Sequence, residues 1–309
     1  MIARMYLERR PSRSEFLPFR GLDHHVRIWG ELDPARPPIV MLHGWMDVGA
    51  SFQFVVDAMA SERAVLAPDW RGFGLTDARG ADNFWFPDYL ADLDCLLDHY
   101  LPDQAVDVVG HSMGGNIIML YAGARPERIR RIVNLEGFGM AQTQPAQAPA
   151  RYAKWMDELK KLRRGEMDLQ TYPDVSGVAR RLMRTNPRLS QDKADWLAAH
   201  WSAPATRADG TTAWSILGEA AHKLVNANLY QVDEVVAAYR AIAAPVLAVD
   251  AVDGIVKTWR ARGIEDDFLA RLQHVRDIRI EHLPDAGHML HHDQPARVAA
   301  LIDAFLNEN

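Results

Sequence analysis

Ser112 stands in Gly110-His111-Ser112-Met113-Gly114, a G-x-S-x-G run. The apolar stretch Ala105-Val106-Asp107-Val108-Val109 precedes it, and Gly115-Asn116-Ile117-Ile118-Met119-Leu120 follows as a helical pattern. Strand, sharp turn and helix in that order hold a serine hydroxyl out at the end of a sheet. The flanking glycines relieve the crowding where strand and helix nearly touch. The helix aims its first N–H groups at the same point, where a negative charge is stabilised. The chemistry suggested is nucleophilic attack. A serine hydroxyl is a weak nucleophile at neutral pH, so it needs a base, a group that orients the base, and donors for a developing oxyanion.

The base candidate is His288 in Leu283-Pro284-Asp285-Ala286-Gly287-His288-Met289, after the last predicted strand and before the terminal helix. His291 and His292 are close in sequence, but no cysteine or acidic ligand cluster accompanies them, so no metal is expected. Three carboxylates lie at strand ends between Ser112 and His288. Asp253, beside Gly254, is favoured because a loop gives it freedom to reach the imidazole; Asp250 and Glu136 are the alternatives. The oxyanion donors expected are the backbone N–H groups of Met113 and of Trp45, the latter after Gly44 in Leu42-His43-Gly44-Trp45. Asp69-Trp70-Arg71-Gly72-Phe73-Gly74 has too few glycines for a dinucleotide fingerprint and reads as a turn braced by Asp69 and Arg71.

The elements that must position these groups are short apolar runs. Ile39-Val40-Met41-Leu42, Ala64-Val65-Leu66-Ala67, Ile132-Val133-Asn134-Leu135 and Pro245-Val246-Leu247-Ala248-Val249 lack alternation, as strands buried on both faces do. His25-Val26-Arg27-Ile28-Trp29 alternates, and Ile278-Arg279-Ile280 closes the series. Helical patterns such as Tyr89 to Tyr100 and Val298 to Leu306 lie between them, which implies a parallel sheet covered on both faces. Between Leu135 and Pro245 the rhythm breaks. Tyr152 to Leu162, Val178 to Met183, Lys193 to His200 and Val232 to Ile242 read as helices of an inserted cap. The division expected is a core over 1–137 and 241–309 with a helical cap over 138–240. Trp85, Phe86, Met140 and Trp214 are candidate pocket residues, together with Trp45 and with Trp155, Trp196 and Trp201 of the cap interval.

Composition narrows the classes. The chain has 309 residues and 48% hydrophobic content, enough for one large α/β domain with an insertion. Lys and Arg total 35 against 41 Asp and Glu, a net charge of −6 that argues against nucleic acid or an anionic membrane as partner. The acidic run Glu265-Asp266-Asp267 reads as a solvated helix face. The single Cys95 rules out an intrachain disulfide framework and suits the cytoplasm. Met1 to Leu7 is too short an apolar segment for a secretory signal, and no run approaches the ~20 apolar residues of a membrane span. The expected partner is a small-molecule substrate, and the expected state a monomer or homodimer.

Taken with their order and spacing, Leu42-His43-Gly44-Trp45, Asp69-Trp70-Arg71-Gly72-Phe73-Gly74, Gly110-His111-Ser112-Met113-Gly114-Gly115 and Asp285-Ala286-Gly287-His288 resemble the α/β-hydrolase superfamily over nearly the whole chain. The capped branch of esterases and C–C bond hydrolases is the most similar. The resemblance implies a mostly parallel eight-stranded sheet flanked by helices, a cap after the sixth strand, and a Ser-then-acid-then-His order. Ser112 argues against the epoxide hydrolases and dehalogenases of that branch, which carry Asp at this position. Met46 stands where the branch often has Pro, and Val249-Asp250-Ala251-Val252-Asp253 lacks the usual Gly before the acid-bearing loop. The implied activity is hydrolysis of a small or medium apolar acyl ester without cofactor. C–C bond hydrolysis, amidase or perhydrolase chemistry would use the same triad, and a slow ligand-binding receptor is the reading from another class.

Overall fold

The computed structural model describes residues 6–206, 210–264 and 268–308. The acidic run Glu265-Asp266-Asp267 and the first five residues lie outside them. In chain order the strands are β1 (Ser12–Phe19), β2 (Leu22–Trp29), β3 (Ile39–Leu42), β4 (Val65–Pro68), β5 (Val106–His111), β6 (Ile129–Leu135), β7 (Thr171–Tyr172), β8 (Ser202–Thr206), β9 (Thr212–Ile216), β10 (Val246–Asp253) and β11 (Ile278–Gly287). Eight of them form one sheet in the order β1-β2-β4-β3-β5-β6-β10-β11. The pairs β1/β2 and β2/β4 are antiparallel and the rest are parallel.

The central strands are mostly apolar because each face meets helices. Side chains alternate between the two faces. Val40, Val108, Ile132 and Val246 join one core with Leu93, Leu96 and Leu97 of helix Phe86–Tyr100 and Ile117 and Tyr121 of helix Met113–Ala124. Met41, Val109, Val133 and Leu247 face the opposite core, with Phe52 and Val55 and with Ile302 and Phe305 of helix Pro295–Leu306. Pro87, in the first turn of helix Phe86–Tyr100, forfeits no intrahelical hydrogen bond there.

The interval expected as a purely helical cap holds helices Ala148–Arg163, Val175–Thr185 and Gln191–Trp201 together with a three-stranded antiparallel sheet, β7-β9-β8. The strands of that sheet are short and polar, so they carry no buried-strand pattern. Pro204 sits in β8, an edge strand, where a missing N–H is tolerated. The last helix of the interval, Val232–Ala241, packs with the main core through Val235 and Tyr239. It is the crossover that parallel β6 and β10 require, so the expected cap boundary at residue 240 cuts through a core element. Trp196 and Trp201 are buried in the cap's own cluster, which also takes in Val48, Ala50 and Phe54 of the core.

The turn after β4 is organised by Asp69. Its fully buried carboxylate accepts the Gly49 N–H at 2.6 Å and the Leu75 N–H at 2.9 Å, and meets His25 Nδ1 at 2.7 Å. The expected partner in this turn, Arg71, reaches instead to Asp92 of helix Phe86–Tyr100, with two contacts of 2.6 Å. Gly74, at φ +56°, leaves the space that the Asp69 carboxylate fills. Removing one partner from a buried, charge-assisted network leaves the others unpaired. Asp69→Asn is therefore expected to cost about 3 kcal/mol in denaturant unfolding; a change below experimental error would show that the turn is held by something else.

Candidate active site

Ser112 lies between β5 and helix Met113–Ala124 at φ +51°, ψ −112°, a conformation that costs a non-glycine residue on the order of 1–3 kcal/mol. Its N–H extends the sheet ladder to the Leu135 carbonyl at 2.8 Å, and its carbonyl accepts the first helical bond, from Asn116, at 3.0 Å. The close approach depends on missing side chains. A Cβ on Gly114 would overlap the Leu42 carbonyl, one on Gly110 would overlap the Gly114 backbone, and one on Gly115 would overlap Asn134 Oδ1.

His288 follows β11. Its Nε2 is 3.0 Å from Ser112 Oγ, and its Nδ1 is 3.1 Å from Glu136 Oε2. Two anchors fix the loop that carries it. The His288 carbonyl accepts His111 Nε2–H at 2.7 Å, and the Gly287 N–H donates to Asp293 at 2.8 Å. His111, the residue before the serine, thus ties the two ends of the Ser–His contact together.

The acid position differs from the favoured expectation. Asp253 is paired with Arg188 at 2.6 Å and Lys257 at 2.5 Å on the exposed side of its loop, and it does not meet His288. Asp250 bonds His282 at 3.0 Å; burial first, and then the adjacent Glu136, raise its pKa. Glu136, the other alternative, is the carboxylate brought to the imidazole. It follows β6 at φ +61° and is buried. Its oxygens accept the N–H groups of Ala251 and Ile255, each at 2.7 Å, and a Cβ on Gly254 would collide with it. Two sequence signals pointed this way: a charge ending a strand buried on both faces, which must be partnered, and a lysine four residues after Asp253 that holds it at the surface.

Gly44 brings the loop after β3 against the serine. A Cβ there would lie 3.2 Å from Ser112 Cβ. His43 holds this loop in one tautomer: the Trp70 N–H donates to Nε2 at 3.0 Å, so Nδ1–H donates to the Gly44 carbonyl at 2.7 Å. The N–H groups of Trp45 and Met113 make no intramolecular hydrogen bond among the described residues, as donors for an incoming oxyanion must. Trp45 and Met113 also line a cavity of about 140 Å³, together with Phe84, Phe86, His222 and Leu224. Of the expected pocket residues, Trp45 and Phe86 line it. Trp85 and Met140 are 52% and 56% exposed, and Trp214 packs against the cap cluster.

Behind the serine turn lies a buried polar group formed by Asp47, Ser51, His111, His291 and His292, which sequence reasoning missed apart from noting the two adjacent histidines. Ser51 Oγ bridges His291 at 3.2 Å and His292 at 2.5 Å. Asp47, His111 and His291 each offer a donor atom within 4.8 Å of the others, so the acidic partner that the sequence expectation found missing beside the histidines is supplied by Asp47 from a distant segment.

Burial holds His43, His111 and His292 below the ordinary imidazole pKa, His24 down to about 4 and His222 down to about 3. The unfolded chain takes up these protons near pH 6.5 and the folded chain only at lower pH. The unfolded state therefore binds more protons as pH falls through that window, and stability is lost. The melting temperature should be highest above pH 6.5 and fall progressively toward pH 4; a flat calorimetric profile from pH 7.5 to 4.5 would contradict the neutral burial of these rings.

A family profile described as the alpha/beta hydrolase fold matches residues 37–295. A serine hydrolase-like protein of Danio rerio is 25% identical over 96% of this chain and 89% of its own length. A 2-hydroxy-6-oxo-2,4-heptadienoate hydrolase of Pseudomonas putida is 32% identical over 35% of this chain and 40% of its own. Among solved structures, the hypothetical protein PA1622 of Pseudomonas aeruginosa superposes with a TM-score of 0.81 at 24% identity, over 96% of this chain and 99% of that one.

Proposed function

The chain belongs to the alpha/beta hydrolase family and is a hydrolase, and from that premise we propose that it cleaves esters of small, uncharged, apolar acyl groups through Ser112, His288 and Glu136. One observation carries the reading: the unbroken contact chain from Ser112 Oγ to His288 Nε2 and from His288 Nδ1 to Glu136 Oε2. Ser112 Oγ attacks the acyl carbonyl while His288 takes its proton. The N–H groups of Trp45 and Met113 receive the oxyanion. His288 then protonates the leaving alcohol and next deprotonates the water that releases the acid. Glu136 keeps Nδ1 protonated and stabilises the imidazolium. Among the described residues no Asp, Glu, Lys or Arg lines the cavity beside Met113, which supports a neutral acyl group.

A second reading, C–C bond hydrolysis, would use the same residues. It is favoured by the match to the heptadienoate hydrolase. The name of that enzyme's substrate denotes a carboxylate, for which the cavity offers no Lys or Arg among the described residues.

The test is fluorophosphonate labelling beside hydrolysis of p-nitrophenyl esters. Ser112→Ala should abolish both. Glu136→Gln should lower kcat about 10⁴-fold, and Asp253→Asn should leave it close to wild type. A large loss in Asp253→Asn with Glu136→Gln active would reverse the assignment of the acid. Labelling without ester turnover would favour the C–C reading.

A further inference from the structure

The cap touches the core beside the cavity through a short clasp. The Gly74 N–H donates to the Leu217 carbonyl at 3.1 Å, the Glu219 N–H to the Gly72 carbonyl at 3.0 Å, and Phe73 bridges Gly218. The clasp runs into the turn Ala220–Lys223, which delivers His222 between two phenyl rings. Its imidazole stacks on Phe73 with centroids 3.7 Å apart at 12°, and on Phe84 at 3.7 Å and 18°. Its Nε2–H donates to the Gly72 carbonyl at 3.2 Å, and its own carbonyl accepts the Trp45 indole N–H at 3.2 Å. Gly72, at φ +72°, has no side chain to disturb the stack; a Cβ there would sit 2.8 Å from His222 Nε2. Both faces and one edge of the ring are therefore held, while the residue lines the cavity that Trp45 and Met113 also line.

We propose that His222 is the end wall of the acyl pocket and sets the acyl chain length the enzyme accepts. The proposal rests on the assignment of Ser112 as nucleophile. With its carbonyl oxygen at the Trp45 and Met113 N–H groups, an ester directs its acyl chain into the cavity those residues line. The cavity holds about 140 Å³. A longer chain meets an imidazole that can yield only by leaving both phenyl rings and the Gly72 carbonyl. With both faces stacked on phenyl rings the imidazole can offer the cavity only an edge, and burial keeps it uncharged, which suits an apolar chain. The lip, at the exposed Asn83 and Asn226, is polar.

The test is kcat/KM for p-nitrophenyl acetate, butyrate, hexanoate and octanoate with wild type, His222→Ala, His222→Phe and Phe84→Leu. Wild type should prefer the two shorter esters. His222→Ala should raise the octanoate-to-butyrate ratio by at least about tenfold, since apolar pocket contacts discriminate on that scale. His222→Phe, which rebuilds an aromatic stack, should keep the wild-type ratio. If His222→Ala does not fold, Phe84→Leu decides, because it frees one face of the ring and should shift the ratio the same way. An unshifted ratio in a variant that still labels with fluorophosphonate overturns the proposal and leaves Ser112 standing. A wild type that prefers octanoate also overturns it. Absence of both labelling and turnover in wild type removes the Ser112 reading and the proposal with it.

Discussion

The left-handed backbone at Ser112 is the constraint on which the rest of the site depends. A strand can turn into a helix within one residue only if the two elements nearly touch. Gly110, Gly114 and Gly115 permit this, since a Cβ on any of them would occupy backbone or side-chain atoms already present. Strain of this kind persists only where its surroundings over-determine it. Here β5 is hydrogen-bonded on both sides, to β3 and β6, and is buried along its length. The sheet thus supports the turn, and the turn aims the hydroxyl and the start of the helix at one point.

Sheet order explains why the carboxylate at His288 is a glutamate from β6. The strands run β5-β6-β10-β11, so β10 separates the end of β6 from the loop that carries His288. Glu136 crosses that gap over the end of β10, with the Ala251 and Ile255 N–H groups beneath it and Gly254 leaving room. A carboxylate taken out of water needs several donors, and backbone N–H groups are rigid ones. Asp253, one strand closer to the histidine in sheet order, points outward because Arg188 and Lys257 hold it in solvent.

The cap enters the fold at the β6–β10 crossover, directly after the residue that meets His288. Its own cluster rests on Val48, Ala50 and Phe54, while its clasp grips the loop that Asp69 organises. Two separate footings on the core make the cap a wall of the cavity as well as a cover over it. Tryptophans of the cap that could have lined a pocket, Trp196 and Trp201, are used to hold it together.

The meeting of Ser112 and His288 was legible in the sequence because their signals are local. Five residues specify the turn, and a histidine between the last strand and the terminal helix has one obvious place to go. The parallel sheet was legible for a similar reason, since strands buried on both faces must be apolar throughout. The acid was not legible. Asp253 and Glu136 lie at strand ends and Asp250 within β10, and the choice among them depends on which strands are neighbours, how far each side chain reaches and which surface cations intercept it. Those are distances across the sheet, of which the chain carries only a trace, in the lysine four residues after Asp253 that draws it to the surface. The cap's small sheet escaped because its strands are short and carry few apolar residues, and the placement of Phe86 and His222 beside Met113 was decided by the docking of cap on core. Local backbone requirements were written in the sequence; every pairing between distant segments was decided by tertiary structure, because only there do separation and burial acquire values.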